Sequence, residues 1–296
     1  MNDLANQHFE ILAPRQWTAP VIVNSPHSGS LLPPSFLTLS QLSISQLRSS
    51  EDSHIDELFL GCLDVGVPMV RALVSRSYLD LNREPFELDA RMFDVALPDH
   101  MNTTSSRVAC GLGTIPKTVG DGLNIYAGPI ALQDALNRIE TIHRPYHRML
   151  AALVEEAHSA TGTVVLADCH SMPSSAVSKG HQKADSADIV LGDRFGRACD
   201  GLVVSEVSNL LKAAGLNVAH NKPYAGGFIT ETHGNPRQGR HAFQIEINRA
   251  TYMNEVTREK NGGFAPLKSV LDMLLKHLAT IATALADENP IQLAAE

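Results

Sequence analysis

The chain has 296 residues, 44% of them hydrophobic, enough for a sizeable core in one large α/β domain or two small ones. A net charge of −8 and a pI near 5.9 argue against a broad electrostatic grip on nucleic acid or anionic lipid, although a few local cations can still bind a small anion. The four cysteines form no CxxC pair, which argues against a cysteine-rich zinc module, and Met1 to Trp17 carries no basic segment followed by an apolar run. No stretch approaches the roughly 18 apolar residues of a membrane span, so the expectation is a cytoplasmic protein with reduced thiols and no nucleic-acid or membrane partner.

Val21 to Val23 is a short buried-strand signal that ends at Asn24-Ser25-Pro26-His27-Ser28-Gly29. Ser50 to Leu63 reads as a helix with an acidic first turn, which suits the helix dipole. Val67 to Val74 and Tyr78 to Leu81 read as two further strands. Arg91 to Gly128 holds prolines and glycines without a clear period and reads as a long irregular insertion. Leu132 to His158 has a helical pattern that Pro145 breaks or kinks. Thr163 to Ala167 is an unbroken apolar, β-branched run, as expected of a central parallel strand covered on both faces. Ile189 to Leu191 and Phe243 to Ile247 are further strands, and Leu267 to Leu285 closes the chain as a helix. Strands alternating with helices predict a single α/β domain over residues 1–296, a sandwich on a mixed, mostly parallel sheet.

In such folds ligands sit at the carboxyl ends of the strands. The polar motifs follow the strands there: His27 after Val23, Asn82-Arg83 after Leu81, Asp168-Cys169-His170 after Ala167. Two histidines, a carboxylate and a water make a catalytic zinc site. His27 and His170 are the natural pair, and Asp52 is the expected carboxylate, with Glu51 and Asp56 as close rivals. One ion is expected, and such a site also accepts other divalent metals. Asp168 could orient His170, provided the strand continues so that i and i+2 share a face. Glu246 lies between Ile245 and Ile247, which point to the opposite, buried face; a carboxylate so placed suits a general base.

Arg83 with Asn82 is placed to hold a substrate carboxylate, with Arg76 and Arg249 as further candidates. The tandem glycines before Phe228, Gly227 among them, suit a close backbone approach to a ligand, with His233 and Gly234 on the same rim. A thiol mechanism through Cys169 is disfavoured, since adjacent side chains on a strand point apart. No GxSxG elbow, GxGxxG or GxxxxGK[ST] is present.

These segments, in order and over nearly the whole chain, resemble the N-formylglutamate amidohydrolase family. The matching strings are Val23 to Gly29, Asp52 to Asp56, Ser75-Arg76, Asp80 to Arg83, Arg144 to His147, Asp168 to Ser171, Gly226 to Thr230, Gln244 to Glu246 and Arg249 to Met253. The resemblance implies a three-layer αβα, phosphorylase/hydrolase-like fold shared with zinc carboxypeptidases and aspartoacylases. It implies His27 and His170 as metal ligands, Glu246 as base, and Asn82 and Arg83 on a substrate carboxylate. The expected reaction is zinc-dependent hydrolysis of N-formyl-L-glutamate to formate and L-glutamate, as in histidine breakdown; for an acidic substrate the second cation is expected to be Arg249. The competing readings are a hydrolase of another N-acyl amino acid or peptide-like amide, and a non-catalytic metal- or carboxylate-binding protein. The sequence carries no sign of an oligomeric state.

Overall fold

Val21 to Val23 and Val164 to Ala167 carry β-branched or small apolar side chains that tolerate burial on both faces of a sheet, and both runs become fully buried strands. The structure, a computed structural model, describes residues 8–177 and 186–288, apart from the Asp121 side chain. The strands are β1 (Phe9–Leu12), β2 (Val21–Ser25), β3 (Met69–Ala72), β4 (Thr118–Val119), β5 (Leu123–Asn124), β6 (Val164–Met172), β7 (Ile189–Gly192), β8 (Val218–His220) and β9 (Arg240–Asn248). Seven of them form one sheet in the order β1-β3-β2-β6-β9-β7-β8, while β4 and β5 make a small hairpin. The pairs β2/β6, β6/β9 and β7/β8 are parallel, and β7 runs antiparallel to β9. This is the mixed, mostly parallel α/β sheet that the strand–helix alternation predicts.

By backbone contacts the chain falls into two compact units. The first takes in the chain up to Glu10, Pro26–Asp52 and Arg71–Leu150; the second takes in Ile11–Ser25, Ser53–Val70 and the chain from Ala151 onward. In the second unit, period-2 alternation sorts the central strands cleanly. Val21, Val23, Val165, Ala167, Cys169, Ile189, Leu191, Phe243, Ile245 and Ile247 join one apolar core with helices Ile55–Phe59, Gly201–Ala213 and Phe264–Glu288. The last helix is long and apolar enough to cross a membrane by length and composition alone. Its Leu267, Leu271, Leu274, Leu275 and Leu278 recur at helical spacing and are buried in that core, each worth about 1.5–3 kcal/mol of apolar burial.

In the first unit, Arg138 lies 4.0 Å from the Tyr78 ring centroid and donates to the Tyr78 carbonyl (3.1 Å) and the Tyr126 hydroxyl (2.9 Å). Phe36 packs on both tyrosine rings. The irregular segment contains a short helix at Ser106–Ala109 and the β4/β5 hairpin, and it buries Met92, Phe93, Met101, Val108, Ile115 and Val119. Despite lacking a periodic pattern, it therefore contributes buried apolar side chains.

Three local expectations change. The helix read from Ser50 begins only at Ile55, since Glu51 is extended and the Asp52 N–H donates to the His27 carbonyl at 3.0 Å; it runs over Ile55–Phe59 and continues as a 3₁₀ turn over Leu60–Val65. Tyr78 to Leu81 is not a strand but a turn, with the Asp80 carboxylate accepting from the Asn82 N–H at 2.9 Å in a local loop that competes with sheet pairing. Pro145 does not end its helix: a π-turn over Ile139–His143, closed by the Arg144 N–H on the Ile139 carbonyl, lies just before it, and the helical path runs from Leu132 to Thr161.

Candidate functional site

In the first unit, His27 lies two residues beyond the end of β2 and is buried. One of its ring nitrogens, Nε2, lies 2.7 Å from Asp80 Oδ1, and Nδ1 lies 3.5 Å from Asp52 Oδ2. Asp80 is a hub. Its Oδ2 accepts from Arg76 Nη2 at 2.9 Å, and Arg83 Nη2 lies 3.9 Å away. Burial alone would raise the Asp80 carboxyl, but His27, Arg83 and Arg76 outweigh it and hold the group well below the usual carboxylate range. Arg76 also lies 3.8 Å from Asp52. Of the rival carboxylates, Glu51 accepts a bidentate pair from Arg48 at 2.7 and 2.9 Å, while Asp56 lies in the first turn of helix Ile55–Phe59.

The turn that carries Asn82 and Arg83 is braced from behind. His143 Nε2 lies 2.9 Å from the Arg83 carbonyl and His147 Nε2 lies 2.8 Å from the Leu81 carbonyl. The two imidazoles, four residues apart on the helical path, stack at 4.3 Å. Arg83 donates from Nε to the Leu112 carbonyl at 3.0 Å and from Nη1 to the Asn82 carbonyl at 2.8 Å.

In the second unit, β6 continues through the polar motif to Met172, so Asp168 and His170 share a face. Asp168 Oδ2 lies 2.9 Å from His170 Nε2, and its Oδ1 accepts from Asn24 Nδ2 at 2.8 Å. His170 and Glu246 are register partners in adjacent parallel strands and therefore stand side by side on that face, both buried. Gln244 Nε2 donates to Glu246 Oε1, a contact the sequence did not reveal, although the i, i+2 spacing carried the signal. Arg249 donates from Nε to Ser171 Oγ at 3.0 Å. Cys169 faces the core, where burial and then Asp168 push its thiol well above the usual range, leaving no accessible thiolate.

Gly226 has φ +123°, a conformation that favours glycine, and a Cβ there would meet Thr230 Oγ1 at 2.5 Å. Gly227 follows as the N-cap of helix Phe228–His233 and accepts from Thr230 Oγ1 at 2.9 Å. His233, at the end of that helix, is buried with Nε2 unpartnered among the described residues. Burial, helped by Arg240 and opposed by Asp168, pushes its pKa from 6.5 down to about 4. The unfolded chain takes up a proton near pH 6.5 while the folded one stays neutral to about pH 4, so stability is full above that window and is lost as pH falls through it. A shift of that size corresponds to about 3 kcal/mol. His233→Gln, which cannot take the proton, is expected to flatten the acid slope of unfolding free energy between those limits; an unchanged slope would assign it to other groups.

The profile of the N-formylglutamate amidohydrolase family matches residues 19–253. N-formylglutamate deformylases of Pseudomonas aeruginosa and Pseudomonas putida are both 27% identical, the match covering 83% of this chain and 86% of each relative. The crystal structure of an N-formylglutamate amidohydrolase from Ralstonia eutropha JMP134 superposes with a TM-score of 0.88 at 32% identity, over 94% of this chain and 99% of that one. A gene product of Agrobacterium tumefaciens, 18% identical, shares the fold at a TM-score of 0.65 over 95% of this chain and 98% of its own. The fold and its buried groups define an α/β protein with a mixed, mostly parallel sheet and two buried carboxylate–imidazole pairs, Asp80 with His27 and Asp168 with His170. The chain belongs to the N-formylglutamate amidohydrolase family.

Proposed function

We propose that the protein hydrolyses the amide bond of a small N-acyl amino acid, N-formyl-L-glutamate first among them, with a divalent metal ion, zinc foremost, held by His27, Asp52 and His170. The observation that carries the reading is the side-by-side placement of His170 and Glu246 on the polar face of β6 and β9: a ligand-type imidazole beside a buried carboxylate. Family membership and the curated relatives' activity support the substrate.

The donor set fits such an ion. Two imidazoles and one carboxylate, all buried, are the ligand types of a catalytic zinc site with an open position. Each imidazole has an aspartate at Nε2, Asp80 for His27 and Asp168 for His170. A proton held there by the carboxylate directs the lone pair of each ring to Nδ1 and fixes its orientation. When bound, the ion supplies Lewis acidity, making a water more acidic and polarising the scissile carbonyl.

The protein's own groups do the rest. Glu246 takes a proton from the attacking water and returns it to the leaving nitrogen, as a positioned general base and acid. Asn82 and Arg83 hold a substrate carboxylate, and the His143–His147 brace keeps their turn in place, so binding energy remote from the scissile bond positions it. Arg76 keeps Asp80 charged against His27. Gly227 shapes the backbone at the rim.

The test is release of formate and free glutamate from N-formyl-L-glutamate, before and after treatment with a chelator and again after zinc is restored. Turnover that disappears with the metal and returns with it is the expected result. Turnover indifferent to chelation, in protein shown to be metal-free, would sink the metal; no release of any acyl group from a panel of N-acyl amino acids would sink the reaction.

A further inference from the structure

We propose that Arg107, from the irregular segment, is the guanidinium that receives the second carboxylate of an acidic N-acyl amino acid, beside Arg83. This rests on reading the site as an N-acyl amino acid hydrolase, and it concerns which substrates the site selects.

The argument begins with how the segment is fastened. Ser105 caps the helix Ser106–Ala109, accepting from the Val108 N–H at 3.0 Å, and its hydroxyl also donates to Glu87 Oε1. The Arg107 carbonyl accepts from the Leu112 N–H at 2.9 Å, and the Leu112 carbonyl accepts from Arg83 Nε at 3.0 Å. A single residue, Leu112, thus ties Arg107 to the arginine that follows the Asp80 turn. Thr114 closes the same ring: its N–H donates to the Glu87 carbonyl at 2.8 Å and its carbonyl accepts from the Asp80 N–H at 2.9 Å.

Charge points the same way. Burial is the main reason the Arg83 guanidinium is less basic than usual, Asp80 and Glu87 oppose it, and Arg76 and Arg107 add to it, so three guanidiniums share one neighbourhood. Like charges gathered there favour an anion between them. The protein's carboxylates answer this only in part. Asp80 is taken by His27, the Asn82 N–H and Arg76. Glu87 uses Oε1 on Ser105, and its Oε2 is a buried oxygen without a hydrogen bond among the described residues, 3.8 Å from Arg107 Nη1.

Among the described residues the Arg107 guanidinium is therefore held by charge, through Glu87, and donates no hydrogen bond. Arg48, Arg91 and Arg138 differ, for each has a guanidinium N–H committed to a carboxylate. The Arg107 side chain is 37% exposed, enough to reach a ligand, while that of Arg83 is 14% exposed. A substrate with one carboxylate needs Arg83 alone. A dicarboxylate needs a second cation with spare N–H groups, and Arg107 supplies it in the same unit.

The experiment measures kcat and KM for N-formyl-L-glutamate, N-formyl-L-glutamine and N-formyl-L-alanine, with calorimetric binding of N-formyl-L-glutamate as a second readout. The proteins are the native chain, Arg107→Met, Arg107→Lys and Arg249→Met. Arg107→Met is expected to raise KM for the acidic substrate by about 10- to 100-fold, the weight of one charge-assisted hydrogen-bonded contact. Its kcat on that substrate, and its kinetics on the two neutral substrates, should move by less than about twofold, and Arg107→Lys should recover part of the loss. Equal losses on acidic and neutral substrates would make Arg107 a structural prop and overturn the assignment. So would a selective loss in Arg249→Met with Arg107→Met unaffected. If the native protein binds N-formyl-L-glutamate without hydrolysing it and Arg107→Met abolishes binding, the assignment stands while the reaction falls. If the native protein neither binds nor turns over the acidic substrate, the assignment falls too.

Discussion

Glu246→Gln is expected to lower kcat on N-formyl-L-glutamate by about 10²–10⁴-fold, the range over which a positioned general base contributes. The substitution is close to isosteric and retains an oxygen to accept the Gln244 amide hydrogen, so the buried contact on that face survives. The strand itself is held by backbone pairing to β6 on one side and β7 on the other, which does not depend on the side chain. Metal content and thermal midpoint should therefore stay close to the native values, and the loss should fall on kcat. The check is formate release under single-turnover conditions beside a melting curve and metal analysis of the same preparation. A variant that keeps more than a tenth of native kcat would remove Glu246 from the reaction and reduce it to a buried structural acid.

The second large effect belongs to Asp80. One buried carboxylate serves His27, Arg76, Arg83 and the Asn82 N–H. Asp80→Ala removes the carboxylate nearest to His27, Arg76 and Arg83 in a largely buried setting, and removing one member of a buried ionic set costs about 3–5 kcal/mol. Asp80→Asn keeps the shape and an acceptor oxygen for the turn, so it should unfold at higher denaturant concentration than the alanine variant. It still removes the charge that holds the His27 proton, and metal affinity is expected to fall about 10- to 100-fold. Denaturant unfolding of both variants, with metal titration against a competing chelator, measures the two parts separately. If Asp80→Asn binds metal as tightly as the native chain, the carboxylate serves the Asn82–Arg83 turn alone and has no part in orienting His27.

Strand ends in the second unit were the most legible part of the molecule. Unbroken apolar, β-branched runs at Val21 to Val23 and Thr163 to Ala167 read as buried strands, and polar residues directly after such runs fall at a strand end. The face of Glu246 followed from Ile245 and Ile247, because a period of two leaves no choice once its neighbours enter the core. The helix over Phe264–Glu288 was legible for the corresponding reason, its leucines recurring at helical spacing.

What local pattern could not determine were the pairings between residues far apart in the chain. Tyr78 to Leu81 has a strand-like composition, yet the Asp80 side chain captures the Asn82 N–H and the chain turns. The helix read from Ser50 starts only at Ile55, with Glu51 extended and the Asp52 N–H bonded to the distant His27 carbonyl. Asp80 against His27 spans 53 residues, and His143 and His147 reach back 60 and 66 residues to brace one turn. Arg107 sits in a stretch with no period at all, tied to Arg83 through the Leu112 carbonyl. By itself the sequence determined the central strands and the closing helix and which side chains of each enter the core, because side-chain periodicity is local and burial reads it directly. Only the tertiary structure decided which carboxylate meets which imidazole or guanidinium, because a charged side chain carries no mark of its partner and the pairing is set by how the backbone brings distant turns together.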